Sequence, residues 1–146
     1  MPTTVHSKDG TPIAVDHVGS GPALILVDGA LCHRTMGPSG ALAKQLAGQF
    51  TVYTYDRRGR GESGNLAPYS VQCEVEDLQE VIQMAGGSVY ACGISSGAVS
   101  PVWMRNAQRA LAAAVPGATT RTLPGQTHIV SAKVLAPALV EFFSNG

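Results

Sequence analysis

The segment Gly93-Ile94-Ser95-Ser96-Gly97 carries the strongest candidate for chemistry in this sequence. It has the form G-x-S-x-G and lies between a predicted strand and a predicted helix. A serine on such a sharp turn needs small residues on both sides, because the chains nearly touch there, and its hydroxyl is pushed out at the end of the sheet. We therefore predict Ser95 as a nucleophile; the alternative is a glycine-rich turn with an incidental serine.

A histidine near the end of the chain, His128, could act as the base for this serine. It lies in the segment GQTHIV, in a predicted loop after the last strand and before the final helix. An imidazole in that position can accept the serine proton. The other histidines, His6, His17 and His33, lie on early strands or in the first long loop and are less well placed.

The loop Asp28-Gly29-Ala30-Leu31 directly follows an apolar predicted strand. Acyl transfer requires two backbone N–H groups directed at the oxyanion that develops on the substrate. We predict that Ser96, the residue after the nucleophile, supplies one of them and Ala30 the other. The alternative for this loop is an ordinary Asp-Gly turn.

The segment DRRGRGES, residues 56–63, is densely charged and could be mistaken for a phosphate or nucleic-acid site. Asp56 and Glu62 offset much of its positive charge, and no aromatic residues are interleaved for base stacking. We interpret it as a structural turn held by internal charge-assisted hydrogen bonds.

Strands and helices alternate along the chain, which favours an α/β fold with a mostly parallel sheet of about six strands flanked by helices. One strand, ALILV, is continuously apolar, as expected for burial on both faces. A helix after the cap Ser70 has an apolar stripe of Val71, Val75, Leu78, Ile82 and Ala85. The predicted strands cover 3–6, 11–17, 23–27, 51–56, 88–93 and 119–125; the predicted helices cover 41–48, 71–85, 101–115 and 132–143.

Length and composition point to a single globular domain over residues 1–146. Hydrophobic residues make up 45% and charged residues 14%, and the formal net charge is zero, which argues against nucleic acid as a partner. No apolar run is long enough to cross a membrane, and the polar N-terminus has no signal-peptide pattern. Three cysteines without a CxxC pair indicate a reducing compartment, so we expect a cytoplasmic protein without metal or cofactor.

Four segments together resemble the α/β-hydrolase superfamily, in its branch of small esterases, lactonases and cofactor-free haloperoxidases. They are the Asp-Gly loop at 28–29, DRRGRGES at 56–63, GISSG at 93–97 and GQTH at 125–128. The resemblance implies Ser95 as nucleophile, His128 as base and the backbone of Ala30 and Ser96 as oxyanion hole. Family members more often have His-Gly where this chain has Asp28-Gly29.

The chain departs from that family in the segment between the two catalytic candidates. His128 follows Ser95 by only 33 residues, and no Asp or Glu lies between them. The family places further strands, the catalytic acid and usually a lid there, so the resemblance implies an internal deletion near residues 98–101. Loss of the orienting acid can lower turnover by a factor on the order of 10⁴. Asp28, whose strand would neighbour the nucleophile strand, is the candidate for a substitute acid.

Two functions of different classes follow from these patterns. The first is a serine hydrolase of reduced activity that acts on small carboxylic esters or related acyl substrates, or in a narrower version makes peracids from acetate and peroxide. The second is a catalytically inactive hydrolase relic that binds apolar ligands or associates with itself. Lost strands would expose a sheet edge, and this would favour homo-oligomers or segment-swapped dimers.

Overall fold

The computed structural model describes residues 2–29, 31–94, 121, 123 and 131–145. Within these ranges five strands form one sheet with the order β1-β2-β4-β3-β5. The strands are β1 (Thr3–His6), β2 (Pro12–Gly19), β3 (Ala23–Val27), β4 (Thr51–Tyr55) and β5 (Tyr90–Gly93). They match the first five predicted strands to within two residues at each end, whereas the sixth, at 119–125, lies outside the continuous described ranges.

Four of the five strands run in the same direction. The strands β3, β4 and β5 are parallel neighbours, and β2 is antiparallel to both β1 and β4. The predicted mostly parallel α/β sheet is therefore confirmed. The carboxyl ends of β3, β4 and β5 meet at one edge, where ligands bind in open α/β sheets.

Three helices flank the sheet: α1 (Ser39–Leu46), α2 (Val71–Met84) and α3 (Ala132–Ser144). The helices α1 and α3 cover one face and α2 covers the other. Strand β3 serves both cores, because Leu24 and Leu26 face the first and Ile25 the second. The first core contains Leu24, Leu26, Leu42, Ala43, Leu46, Phe50, Val52, Ala136 and Leu139, and the second contains Ile13, Val15, Ile25, Tyr55 and Val81.

The helix boundaries depart from the sequence pattern at α1. It begins two residues before the predicted start, where the Leu42 N–H donates to the Pro38 carbonyl over 3.1 Å. Its end packs on the β2–β3 turn, and Ser20 N donates to Ala47 O over 3.4 Å. A Cβ at Gly19 would lie only 2.5 Å from Ala47 O, so this contact requires glycine. The predicted Gly48 end is thus replaced by an earlier one at Leu46.

The helix α2 forms as predicted, with the Ser70 hydroxyl accepting from the Cys73 N–H over 3.2 Å. Its buried face matches the predicted apolar stripe only in part: Leu78 and Ile82 pack against the second core, but Val71 and Val75 are exposed. The most buried residues are Asp77 and Val81, whereas Val71 is 73% exposed. An ion pair between Asp77 and the buried Arg58 turns that face of the helix inward. A charged partner from another segment has therefore shifted the buried face.

Candidate functional site

The loop after β3 and the end of β5 lie side by side at the carboxyl edge of the sheet. Val27 is aligned with Gly93, and the Ile94 N–H donates to the Val27 carbonyl over 2.8 Å. A Cβ at Gly29 would lie 3.5 Å from the Ile94 oxygen, which is ordinary contact. The prediction that the Asp28 strand neighbours the strand leading to Ser95 is confirmed.

The predicted reacting groups themselves lie outside the described residues. These are the Ser95 side chain, the His128 imidazole and the backbone N–H groups of Ala30 and Ser96. Their roles stay predictions, as does the deletion near 98–101. The described residues define the surroundings into which these groups would fit.

Asp28, the candidate substitute acid, is a buried carboxyl group, 4% exposed. Burial raises the pKa of Asp28, and the neighbouring Ser39 opposes this rise without cancelling it. Asp28 Oδ1 and Ser39 Oγ have no partner of hydrogen-bond geometry among the described residues. Gly37 leaves room for the other oxygen, since a Cβ there would lie 3.2 Å from Asp28 Oδ2. The Ser39 hydroxyl and N–H are nevertheless near enough to Asp28 to favour its ionised form, so Oδ1 is without a partner only by strict hydrogen-bond geometry within the described ranges.

The segment between β3 and α1, residues 29–38, is attached to the carboxyl end of β4 by Arg34. The Arg34 N–H donates to Asp56 Oδ1 over 2.7 Å. Arg34 Nε lies 3.2 Å from Asp56 Oδ2, an ion-pair distance without hydrogen-bond geometry. Two further carboxylates, those of Asp16 on β2 and Glu62, accept from the ends of the guanidinium.

This group of charges keeps the buried arginine ionised. Burial alone lowers the pKa of Arg34, but Asp56, Glu62 and Asp16 together outweigh it and hold that pKa above its usual range. Asp56 is 1% exposed and also accepts from the Glu62 N–H over 2.9 Å. The result is a compact ionic cluster directly beside the candidate site.

A second buried arginine, Arg58, lies two residues after Asp56 and has different partners. It forms two parallel hydrogen bonds to Asp77 of α2, at 2.8 and 2.7 Å, and one to Asp9 in the β1–β2 turn, at 2.9 Å. The hydrogen bonds to Asp77 and then Asp9 hold the pKa of Arg58 above its usual range. Arg58 therefore ties α2 to the first hairpin.

The interpretation of residues 56–63 as a structural turn agrees with these contacts, with one difference. The bonds inside the turn include Glu62 N to Asp56 and the Ser63 hydroxyl to the Asp56 carbonyl, at 2.6 Å. The strongest ionic contacts instead reach other segments: Arg57 pairs with Glu74 on α2, Arg58 with Asp77 and Asp56 with Arg34. Long-range charge pairing was not visible in the local sequence.

Sequence reasoning missed two members of this neighbourhood, Arg34 and Ser39, and set a third, His33, aside as less well placed. His33 is close enough to Asp28 for its charge to favour the ionised carboxyl, and its Nδ1 lies 3.1 Å from the Thr35 hydroxyl. Nothing in the spacing of these residues marks them, since their contacts depend on how the loop folds back onto β3 and β4.

The described ranges contain neither a metal-binding cluster nor a helix that could span a membrane. No group of three or more His, Cys, Asp or Glu side chains is arranged to hold a metal ion. In the same ranges, none of the helices combines the length and the hydropathy needed to cross a bilayer.

Solved structures similar to this chain include several hydrolases. An α/β hydrolase from Sphaerobacter thermophilus DSM 20745 is similar over 97% of this chain and 100% of its own, with a TM-score of 0.80 and 27% identity. An N-formylmaleamic acid deformylase from Pseudomonas putida S16 shares 29% identity over 65% of this chain, with a TM-score of 0.57. A thermophilic esterase from Thermogutta terrifontis gives the same TM-score at 24% identity over 65% of this chain, which indicates the fold alone.

The extent of these similarities differs. This chain spans only 37% of the deformylase and 36% of the esterase, but the whole of the Sphaerobacter protein. No protein-family model and no curated protein sequence matches the chain. The shared part with the two larger enzymes is therefore a fraction of each enzyme.

Proposed function

Because this chain has the α/β-hydrolase fold in partial form, we propose that it hydrolyses small carboxylic esters or related acyl substrates, with Ser95 as the nucleophile. One observation carries the proposal. The strand β5 ends at Gly93 beside the Asp28-Gly29 loop, and Ile94, the residue before Ser95 in sequence, is bonded to Val27 at the carboxyl edge of the sheet. That is where a nucleophile turn of the form G-x-S-x-G belongs.

The proposed reaction passes through an acyl-enzyme. The Ser95 Oγ attacks the ester carbonyl carbon while His128 takes the hydroxyl proton. The backbone N–H groups of Ala30 and Ser96 bind the negative oxygen of the tetrahedral intermediate. The intermediate collapses, and the alcohol leaves with the proton from His128. A water molecule, deprotonated by His128, then attacks the acyl-enzyme carbonyl carbon, and the acid leaves as Ser95 Oγ regains its proton.

In this proposal Asp28 is the acid that orients the His128 imidazole. It is buried at the end of β3, next to the strand that leads to Ser95, and its Oδ1 lacks a partner among the described residues. A carboxylate accepting from the far N–H of an imidazole fixes the tautomer and stabilises the imidazolium. Because burial raises the pKa of Asp28, we expect this pairing to form at a higher pH than that at which ordinary carboxyls ionise.

Labelling with a fluorophosphonate, followed by intact-mass measurement, tests the nucleophile. We expect one adduct in the wild type, none in Ser95→Ala, and an unchanged adduct in the matched control Ser88→Ala, which alters an exposed serine just before β5. An unlabelled wild type, combined with dimers in light scattering, would instead support a non-catalytic, self-associating protein.

Hydrolysis of p-nitrophenyl acetate by Asp28→Asn tests the acid. If Asp28 orients His128, kcat falls by roughly 10²-fold or more, since removal of an orienting acid can cost on the order of 10⁴. Folding is checked by circular dichroism. A kcat within about twofold of the wild type would show that Asp28 has no such role.

A further inference from the structure

We propose that Arg34 is a positioning residue for the candidate oxyanion loop: clamped by Asp56, it fixes the segment that carries the N–H of residue 30. This inference rests on the proposed function and assigns the ion cluster a place in it. It concerns how the loop is held, and Arg34 itself touches no reacting atom in this scheme.

The clamp acts on the backbone as well as on the side chain. One carboxylate, that of Asp56, accepts from the Arg34 backbone N–H at 2.7 Å and lies 3.2 Å from the guanidinium Nε. Both side chains are buried, with 3% and 2% of their surface exposed. Because Asp56 follows β4 directly and its own N–H donates to Ala14 on β2, the anchor belongs to the rigid part of the sheet.

Hydrogen bonds continue from the clamp toward position 30. His33 and Met36 exchange backbone hydrogen bonds of 3.1 and 2.8 Å on either side of Arg34. The Cys32 N–H donates to the Gly29 carbonyl over 3.1 Å, a bond that spans position 30. The described residues on the two sides of position 30, Gly29 and 31–36, are therefore tied to the sheet at β3 and again at Arg34.

The outer carboxylates fix the direction of the guanidinium. Asp16 and Glu62 accept from its two terminal nitrogens, so all three nitrogens of the planar group have carboxylate partners. A planar fork held at three points fixes orientation in a way that a lysine ammonium, a single point of charge, does not. An apolar side chain could fill the same space, and buried ion pairs often add no net stability over such a replacement. We infer that the ion pair serves to place the loop.

Arg58 provides a matched control for this inference. It is also buried and also paired with carboxylates, but its two partners, Asp77 and Asp9, belong to α2 and the first turn. Loss of Arg58 should therefore weaken the fold without displacing the segment that carries position 30.

The experiment compares Arg34→Lys and Arg34→Gln with Arg58→Lys and Arg58→Gln in p-nitrophenyl acetate hydrolysis, with rates expressed per folded molecule. We expect Arg34→Gln to lower kcat by about 10²-fold, the loss typical of one oxyanion donor, with KM changed less than about threefold. Arg34→Lys should recover part of this loss. A trifluoromethyl ketone, which mimics the tetrahedral intermediate, should bind Arg34→Gln more weakly by a similar factor. The Arg58 variants should lower Tm and leave kcat within about threefold of the wild type.

Several outcomes would overturn the inference. Unchanged kcat in folded Arg34→Gln would show that the clamp does not position a catalytic group, and equal losses in both pairs of variants would show a general effect of stability. If Arg34→Gln does not fold, the kcat and the ketone affinity of Arg34→Lys, compared with those of Arg58→Lys, decide: unchanged values in Arg34→Lys would overturn the inference. A wild type that fluorophosphonate does not label refutes the proposed function and this inference with it, whereas a labelled wild type with unaffected Arg34 variants refutes the inference alone.

Discussion

The two buried arginines, Arg34 and Arg58, differ in the parts of the fold that their ion pairs join. Arg34 lies in the β3–α1 loop and pairs with Asp56 at the end of β4. Arg58 lies two residues after Asp56 and pairs with Asp77 and Asp9. The Arg34 cluster borders the candidate site. The Arg58 cluster joins α2 to the β1–β2 turn.

The exposure of their partners also differs. Around Arg34, two of the three carboxylates face solvent, with 49% of the Asp16 and 65% of the Glu62 side chain exposed. The Arg58–Asp77 pair is almost fully enclosed, at 0% and 1%. Exposed pairs contribute little to stability, whereas an enclosed pair leaves a buried unpaired charge when one member is removed. The Arg34–Asp56 pair is also enclosed, at 3% and 2%, so the two clusters differ in the exposure of their outer carboxylates and in the segments that they join.

The largest expected effect on stability is from Arg58→Met. The change leaves the enclosed Asp77 without a partner, so we expect a loss of about 3–5 kcal/mol in the free energy of unfolding. Urea denaturation measures it. Lys8→Met, which removes a surface pair with Glu76, is the control and should cost less than about 1 kcal/mol. A loss of similar size in both would mean that enclosure is not the deciding factor.

A smaller effect is expected from Gly61→Ala, which disturbs the Asp56 clamp. Gly61 has a φ of +52°, and a Cβ there would lie 2.2 Å from Asp56 Oδ2. The left-handed conformation alone costs about 1–2 kcal/mol, and the clash adds to it. Gly59→Ala is the matched control, because its φ is +72° but its Cβ would meet only Asn65, at 3.2 Å. Both are compared by thermal unfolding, and equal losses would argue against strain at Asp56.

Asp28→Asn should stabilise the protein slightly at neutral pH. The folded state raises the pKa of Asp28, so it binds the proton more tightly than the unfolded chain. Stability from this group is therefore present at low pH and lost as pH rises from the ordinary carboxyl pKa through the folded one. Thermal unfolding across this range should show Tm falling less with pH in Asp28→Asn. A variant that is less stable than the wild type at pH 7 would contradict this sign.

The smallest expected effect is on the acid limb of the stability curve, through Asp9. Its hydrogen bond to Arg58 holds the pKa of Asp9 below its usual range. A lowered folded pKa contributes stability above the unfolded value of about 4, and this is lost as pH falls toward the folded pKa. Asp9→Asn should therefore show a shallower loss of Tm on acidification. An acid limb identical to that of the wild type would assign acid unfolding to other groups.

Local patterns were sufficient for most of the scaffold. The apolar run ALILV predicted a strand buried on both faces, and Ser70 predicted the start of α2; both are found. The Asp28 strand was also expected beside the strand leading to Ser95, as the pairing of Val27 with Gly93 confirms. These features depend on residues close together in sequence or on a known order of parallel strands.

The errors arose where distant charges meet. The apolar stripe predicted for α2 is confirmed at Leu78 and Ile82 and wrong at its start, where Val71 and Val75 are exposed. Asp77, paired with Arg58, is buried beside that stripe. The role of Arg34 was not predicted, because its partner Asp56 lies 22 residues further along the chain. Hydrophobic periodicity distinguishes the apolar face of a helix from its polar face, but it does not show which charged side chains will form buried ion pairs.

The sequence by itself determined the alternation of strands and helices and the G-x-S-x-G turn candidate at Ser95, because both are written in short-range spacing. Only the tertiary structure decided that Asp28 is enclosed with a raised pKa and that Arg34 is clamped by Asp56. Burial and ion pairing depend on what the folded chain brings within a few ångströms. Removal of water from these groups then makes each charge dependent on the particular partner it meets.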